Sequence, residues 1–350
     1  MKIGLGLYRQ MLNDANFRFA QQLGCTHVVA HLEDYFSARP KLSRGDASGW
    51  GAAADVPPWS FAEFRDLKDR MARFGLELAA IENFAVRHWS DILLDGPRKQ
   101  AQMAALKQMI RDAGRAGVPC IGYNFSIAGV WGWTRGPFAR GGAMSVGFDA
   151  DAIDPDEPIP EGMVWNMALR DDLGPQSLPP VSREEVWRRY AWFLQELVPV
   201  AEEAGVRLAA HPDDPPMETL RGAARLINRP DTWQRAFDLC PSPANVAELC
   251  LGSLQEMPGD EIYDLVADLA RNDRIGYIHF RNVRGKVPKY HEVFLDEGDI
   301  DMMRVIRILK QAGYQGVLIP DHTPELECDA PWHAGKAFAI GYMKALIAAA

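Results

Sequence analysis

The sequence predicts one α/β domain folded as a (β/α)8, or TIM, barrel spanning residues 1–350. Eight short apolar runs are each followed by a longer stretch containing helical or irregular sequence. Such alternation is typical of parallel sheets, because parallel strands need crossover helices. The 350 residues accommodate eight such units with insertions. An open doubly wound sheet is the alternative, but no Gly-x-Gly-x-x-Gly follows the first run, which disfavours its dinucleotide-binding form.

The predicted strands are short apolar runs, and several end at a polar residue. They cover residues 3–7, 27–32, 76–82, 119–125, 207–211, 245–250, 275–280 and 316–320. The predicted helices cover residues 16–23, 60–74, 97–116, 182–204, 219–239 with a break at Pro230, 260–271, 300–312 and 334–349.

Two of these helices begin with a capping-box pattern, in which a serine and a glutamate three residues later satisfy free backbone N–H groups. The pairs are Ser60 with Glu63 and Ser182 with Glu185. Apolar residues at helical spacing mark one face of the helix over 300–312. They are Met302, Val305, Ile306 and Leu309.

Two long stretches have no clear periodicity, residues 33–59 and 126–181. The second is an insertion after the fourth strand, with clusters of Gly, Pro, Trp and Asp. Long segments of this kind in a compact domain are often functional. We therefore predict that residues 126–181 cover an active site.

Composition limits the class of protein. Hydrophobic residues make up 47% and charged residues 24%, which is ordinary for a globular protein. The net charge of -9 argues against nucleic acid or an anionic membrane as a partner, but not against a small anionic substrate in a locally positive pocket. Five irregularly spaced cysteines and the lack of an apolar run of about 20 residues favour a protein of the reducing cytoplasm.

Residues that can bind a metal lie at the ends of four consecutive predicted strands. His211, Cys250, His279 and Asp321 follow or finish the fifth to eighth apolar runs, and strand ends of this kind meet at the active-site mouth of a barrel. Two imidazoles, a thiolate and a carboxylate suit a divalent metal, with zinc favoured by ligand softness and manganese or iron as alternatives. Each residue alone is more often structural. Glu248, two residues before Cys250 on the same side of its strand, is a competing ligand.

Other polar residues point to a substrate pocket at the same edge. Glu82 and Asn124 lie at the ends of the third and fourth strands. Arg135 and Arg281 are candidates for a bidentate clamp on a carboxylate. Each of these also has a purely structural reading, as a strand-end polar group or a solvated charge.

Several motifs, taken in order, carry a family resemblance. They are Tyr123-Asn-Phe with Trp133-Thr-Arg, His211-Pro-Asp-Asp-Pro-Pro, Cys250-Leu-Gly-Ser, His279-Phe-Arg, His291-Glu, Gly298-Asp-Ile-Asp-Met and Pro320-Asp-His. On these residues the chain resembles the mannonate dehydratase family, which groups with xylose-isomerase-like barrels. The resemblance implies that His211, Cys250, His279 and Asp321 bind the metal, usually Mn²⁺, with Fe²⁺ or Zn²⁺ as alternatives. It also implies hexuronate breakdown, with water removed from D-mannonate to give 2-keto-3-deoxy-D-gluconate.

Catalytic roles also follow from the resemblance. His322 is implied as an acid/base catalyst. We expect Arg281 to orient the substrate carboxylate and His291 to be a second proton-transfer group or a support. Asn124, Arg135 and Glu82 are expected at the substrate.

The chain also departs from the family pattern. Matching the last helix through Ala339-Ile-Gly assigns the family's catalytic tyrosine to Ala337, with Trp332, His333 and Tyr342 as stand-ins. A family histidine corresponds to Leu295, and Glu248 replaces a small polar residue.

These departures leave a close aldonic-acid analogue open as the substrate of the dehydratase. Two other functions also stay open, a sugar or sugar-acid isomerase or epimerase on the same barrel and a non-catalytic sugar-acid binder. Assembly into a homo-oligomer is also left open.

Overall fold

A closed barrel of eight parallel strands forms the centre of the protein. The computed structural model describes residues 1–35, 55–170, 173 and 175–350. The predicted (β/α)8 fold is confirmed, since a strand lies within each predicted apolar run or within one residue of it. The barrel strands are Lys2–Leu7, His27–His31, Glu77–Glu82, Cys120–Tyr123, Arg207–Ala210, Asn245–Cys250, Ile275–His279 and Val317–Ile319.

The eighth strand closes the barrel. Val317 is the register partner of Lys2 in the first strand, and Leu318 is that of Ile278 in the seventh. Because all eight strands are parallel, their carboxyl ends meet at one edge, where the connecting loops carry side chains into a shared mouth.

Helices surround the barrel, and their apolar faces pack against it. Met302, Val305, Ile306 and Leu309 are all buried, as their spacing predicts. The helices are Asp14–Gln22, Phe61–Ala72, Val86–Leu94, Lys99–Arg115, Arg183–Ala204, Thr232–Asp238, Leu251–Glu256, Ile262–Arg271, Met302–Gln311 and Pro331–Ala349. Within the described ranges, no helix has both the length and the apolar character needed to cross a membrane.

The two predicted capping boxes differ. Ser60 and Glu63 satisfy each other's backbone N–H groups, so that box is complete. At the second helix, Ser182 Oγ accepts the N–H of Glu185 at 3.3 Å, but the Glu185 carboxylate pairs with Arg188 and Arg189 instead. The second prediction is therefore half right, because two nearby guanidinium groups compete for the same carboxylate.

The predicted helix over 219–239 is wrong in its first part. Thr219–Leu220 and Ala223–Ala224 form a short antiparallel pair, and Gly222 between them has φ +74°. Helix begins only at Thr232, beyond Pro230. Two further helices, Val86–Leu94 and Leu251–Glu256, were not predicted.

The insertion after the fourth strand contributes to a second sheet. A hairpin that follows the seventh barrel strand pairs with two insertion strands in a four-stranded antiparallel sheet. In sheet order its strands are Asn282–Lys286, Lys289–Val293, Ala143–Asp149 and Thr134–Ala139. Another short pair in the insertion joins Met163–Val164 to Met167–Ala168. Residues 36–54 of the irregular stretch 33–59, and residues 171, 172 and 174 of the insertion, lie outside the described part of the chain.

Candidate active site

A cavity opens at the carboxyl ends of the barrel strands. Its walls come from barrel-strand ends, from the loops that follow them and from the insertion. The lining residues are Tyr8, His31, Tyr35, Glu82, Asn83, Asn124, Val130, Trp133, Trp165, His211, Asp214, Glu248, His279, Arg281, Asp321 and His322.

Three predicted metal ligands converge beside this cavity. The ligand atoms of His211, Cys250 and His279 all lie within 4.8 Å of one another. Asp321 joins them from the segment just after the eighth strand, with Oδ2 at 3.5 Å from His279 Nδ1. The four side chains predicted from consecutive strand ends therefore meet in one place.

The Cys250 thiol lies in a positive environment. Burial alone would raise its pKa, but Arg281 and hydrogen bonds from His211 and His279 outweigh that effect and hold the pKa well below the usual range. Conversely, burial would lower the pKa of His211, but its interactions with Cys250 raise it to about 9. The buried Cys250 and His211 side chains therefore favour their charged forms, although burying a charge is usually costly.

The donor set fits a divalent cation. His279 Nδ1 is buried, and Asp321 Oδ2 lies 3.5 Å from it, which is longer than a good hydrogen bond. Asp321 has a pKa held well below its usual range, because His279 and His322 outweigh the effect of its burial. Two imidazoles, a thiolate and a carboxylate supply two negative charges, which match the charge of such an ion.

Two glutamates extend the cluster on its other side. Glu82 Oε2 and Glu248 Oε1 each lie 3.1 Å from His279 Nε2. Burial, and then the neighbouring Glu82, raise the pKa of Glu248 to about 8. Glu82, Glu248 and His279 form a second group with ligand atoms within 4.8 Å, so Glu248 lies where a competing ligand would.

His322 lies beside the cluster and is held by Glu292. Its Nδ1 is 2.8 Å from Glu292 Oε1, and its ring meets Trp133 edge-on with the centroids 5.3 Å apart. Burial would lower the pKa of His322, but Asp321 and Glu292 raise it above its usual value. The imidazole is thus close to the cavity and fixed on two sides.

Arg281 is buried and bonded to protein groups on both nitrogens of its fork. Nη1 donates to Glu292 Oε1, and Nη2 donates to Asp214 Oδ2 at 2.6 Å. Nη2 also lies 3.3 Å from Cys250 Sγ and 2.9 Å from Ser253 Oγ. Arg281 therefore links the thiol to the carboxylate that holds His322.

The two aspartates of the turn after the fifth strand have different partners. Asp213 Oδ2 accepts the backbone N–H groups of Leu226 and Ile227 at 2.7 and 2.9 Å. Asp214 lines the cavity, and its Oδ1 accepts the Tyr290 hydroxyl at 2.6 Å and Trp133 Nε1 at 3.1 Å. One aspartate therefore shapes the loop, and the other joins the insertion to the site.

The other predicted residues divide between the cavity and the second sheet. Asn124 lines the cavity, and its Oδ1 accepts Trp165 Nε1 at 3.1 Å. Arg135 Nη2 instead pairs with Glu325 Oε2 at 2.8 Å, and His291 stacks on Phe138 at 4.2 Å. Neither Arg135 nor His291 is among the described residues that line the cavity.

Sequence reasoning missed several cavity residues. Tyr8 directly follows the first barrel strand, which is the positional signal used for the later strands, and His31 ends the second strand. The tyrosine stand-ins lie elsewhere: His333 Nε2 is 3.1 Å from Asn16 Oδ1, and Tyr342 stacks on Phe338. The phenolic groups at the cavity therefore come from the first part of the chain, at Tyr8 and Tyr35.

Comparison with known sequences gives one consistent family. The sequence profile of the D-mannonate dehydratase family (UxuA) matches residues 47–350. A mannonate dehydratase from Streptococcus suis is 31% identical over 289 residues, which is 77% of each chain. One from Thermotoga neapolitana is 31% identical over 299 residues, covering 78% of this chain and 81% of the relative.

Solved structures agree with this fold. The crystal structure of mannonate dehydratase from Streptococcus suis superposes with a TM-score of 0.78 at 26% identity, covering 100% of this chain and 93% of that one. A D-psicose 3-epimerase from Clostridium cellulolyticum has a TM-score of 0.59 at 14% identity, covering 99% of each chain. The second likeness concerns the fold alone.

Proposed function

Because this chain belongs to the D-mannonate dehydratase family, we propose that it removes water from D-mannonate to give 2-keto-3-deoxy-D-gluconate. It is a hydro-lyase with a xylose-isomerase-like barrel. The observation that supports this substrate class most directly is the meeting of His211, Cys250, His279 and Asp321 beside a cavity that also contains His322. A divalent ion held by these four residues would attract a small anion such as a sugar acid.

His211, Cys250, His279 and Asp321 are the proposed ligands of a divalent metal, with Mn²⁺ as the proposed ion and Fe²⁺ or Zn²⁺ as alternatives. When bound, such an ion supplies positive charge that stabilises the negative charge developing on the substrate carboxylate as a proton leaves C2. With no ion bound, the lowered pKa of Cys250 and the raised pKa of His211 favour a thiolate beside an imidazolium, so His211 would have to lose a proton to bind a metal.

His322 is the proposed acid/base catalyst. Dehydration breaks a C–H bond at C2 and a C–O bond at C3, so one proton leaves carbon and one joins the departing hydroxyl. The Nδ1 of His322 is taken by Glu292, which leaves Nε2 for exchange with the substrate. A histidine exchanges protons near neutral pH.

The remaining predicted residues have proposed roles of different kinds. Glu82 and Asn124 line the cavity and are proposed to contact substrate hydroxyl groups. Arg281 also lines it and is proposed to orient the anionic end of the substrate. Arg135 and His291 remain predictions at the substrate, since their contacts here are Glu325 and Phe138.

The insertion, residues 126–181, is proposed to cover the site as part of a single domain spanning residues 1–350. Val130, Trp133 and Trp165 from the insertion line the cavity. Trp133 is bonded to Asp214 and meets His322. Indole rings exclude water from the reacting groups, which strengthens electrostatic interactions there.

An isomerase or epimerase is the second candidate function. The adjacent carboxyl groups of Glu82 and Glu248 favour it, because both flank His279 at the cavity. Proton removal next to a carbonyl or carboxylate serves both kinds of reaction. A binder of sugar acids without turnover is the third.

A substrate panel distinguishes these functions. Metal-loaded protein is incubated with aldonic and uronic acids, and the products are identified by mass and by a keto-acid assay. We expect a 2-keto-3-deoxy acid from D-mannonate. Interconversion of stereoisomers without loss of water would replace the proposal with an epimerase, and binding without any product would leave a sugar-acid binder.

The cytoplasm is the proposed compartment. All five cysteines are free thiols, and Cys25, Cys120 and Cys250 are buried, which suits a reducing environment. A small sugar acid is the proposed partner, and homo-oligomer formation remains a prediction.

A further inference from the structure

Glu292 occupies an unusual position between two cationic groups. The same oxygen, Oε1, is 2.8 Å from His322 Nδ1 and accepts a hydrogen bond from Arg281 Nη1. Glu292 is only 2% exposed, so water does not compete for this oxygen. Successive residues of a strand face opposite sides, so the neighbouring His291 points away from Glu292. It stacks on Phe138 of the insertion.

The hydrogen-bonding capacity of this oxygen determines the protonation pattern of the imidazole. Glu292 Oε1 already accepts a hydrogen bond from Arg281 Nη1, so it acts as an acceptor, and its partner nitrogen on His322 has to carry the proton. With Nδ1 protonated, a neutral His322 has its lone pair on Nε2. That nitrogen lies 3.7 Å from Asp321 Oδ1, a proposed metal ligand.

The ring is constrained from a second direction as well. Trp133 meets it at an interplanar angle of 88°, and Asp214 holds the Trp133 indole at 3.1 Å. Arg281 bonds to both Glu292 and Asp214. The two groups that contact His322 are therefore connected through one buried guanidinium.

We propose that Glu292 is a positioning residue that fixes the tautomer and orientation of His322, so that Nε2 faces the substrate. The expected loss of kcat rests on the proposed function. The expected tautomer and orientation of His322 do not depend on it. Arg281 supports this positioning by holding Oε1 in place.

Three substitutions separate positioning from general structural support. Glu292→Ala removes the acceptor, and Glu292→Asp keeps the charge beside Arg281 but withdraws the oxygen by one methylene. Glu292→Gln places one oxygen and one NH2 group where the two carboxylate oxygens were. Because the guanidinium of Arg281 can only donate hydrogen bonds, the amide oxygen should take the Oε1 position, where it can still accept from His322. Glutamine should therefore rescue what alanine and aspartate lose.

The kinetic test measures kcat and KM for D-mannonate with metal content recorded for each variant. Since general acid–base catalysis contributes about 10²–10⁴-fold, we expect kcat of Glu292→Ala and Glu292→Asp to fall by about 10²-fold or more. Glu292→Gln should stay within about tenfold of wild type, with KM and metal content unchanged in all three. Lys289→Ala, an exposed residue on the same strand, is the matched control.

A second measurement does not depend on activity. Nitrogen chemical shifts of ¹⁵N-histidine-labelled, Zn²⁺-loaded protein at alkaline pH report the tautomer, and His322→Gln identifies the signal. Wild type and Glu292→Gln should carry the proton on Nδ1, and Glu292→Asp should shift toward protonated Nε2. An unchanged tautomer in Glu292→Asp, or equal kcat losses in the Gln and Asp variants, would overturn the proposal. A protein without dehydratase activity but with the expected tautomers would leave positioning intact and remove the proposed function instead.

Discussion

Trp133 donates its indole N–H to Asp214 over 3.1 Å, which joins the insertion to the turn after the fifth barrel strand. The same Asp214 oxygen accepts the Tyr290 hydroxyl from the hairpin that follows the seventh strand. Three segments distant in sequence therefore meet on one buried carboxylate. The position of Trp133 against His322 depends on that carboxylate.

Replacing Trp133 with Phe should remove the hydrogen bond to Asp214 but keep an aromatic ring at this position. The smaller ring still packs near His322, but Asp214 loses one donor, which we expect to cost about 1 kcal/mol of unfolding free energy. We expect kcat/KM to fall about tenfold, or by about 1.4 kcal/mol of transition-state stabilisation. Denaturant unfolding and steady-state kinetics measure both. Trp192→Phe, on the outer helix beside Lys99, should change neither, and a silent Trp133→Phe would contradict the role of that hydrogen bond.

Cys250→Ala should remove most of the bound metal. The thiol has a strongly lowered pKa, so it provides a thiolate ligand, and the described metal-ligand groups contain no second cysteine. Elemental analysis of purified protein measures metal per chain. Glu248→Gln is the matched variant and should retain most of the ion. If instead Cys250→Ala keeps its metal and Glu248→Gln loses it, Glu248 is the ligand on the sixth strand.

Removing the metal should lower thermal stability as well as activity. Without the ion, the carboxylates of Asp321, Glu82 and Glu248 share one buried region. A ligand present at 100 times its Kd stabilises the folded state by about 2.7 kcal/mol, so chelation should lower Tm by several degrees. Scanning calorimetry with and without chelator measures the shift, and added Mn²⁺ should reverse it. The Cys250→Ala protein should barely respond, and an equal shift there would mean that the chelator acts elsewhere.

Two glycines allow a test of helix packing away from the site. A Cβ on Gly114 would lie 2.8 Å from Ala204 Cβ, where two outer helices approach closely, whereas a Cβ on Gly341 would meet nothing within 4 Å. Gly114→Ala should therefore destabilise the protein by about 1–3 kcal/mol. Gly341→Ala, inside the helix Pro331–Ala349, should stabilise it by about 0.5–1 kcal/mol. Equal effects on unfolding free energy would contradict this packing.

The barrel was predictable because its signal is local. Each strand is a short apolar run, and strand-end residues such as His211 and Cys250 meet once the strands are parallel neighbours. The hairpin Asn282–Lys286 and Lys289–Val293 was missed because its strands are polar and charged, and Tyr290 pairs with Phe148 of the distant insertion. No local pattern in the sequence encodes that pairing.

The predicted site was less complete than the predicted fold. Asp213 and Asp214 are adjacent and chemically identical, yet only Asp214 faces the cavity. The difference arises from the loop, in which Asp213 satisfies backbone N–H groups of Leu226 and Ile227. Arg281 is predicted to clamp a substrate carboxylate, and the sequence did not indicate that its guanidinium is also bonded to Glu292 and Asp214. Such partners are set by tertiary contacts that sequence spacing does not contain.

The pairing of the eighth barrel strand has a consequence for folding. That strand fills the gap between the first and seventh strands, and Asp321 and His322 come after it, separated from it only by Pro320. Closing the barrel is therefore the same event that delivers the last proposed ligand and the proposed acid/base group. A folding intermediate that is still open at this seam has neither, so catalysis begins only once the chain has reached its native topology.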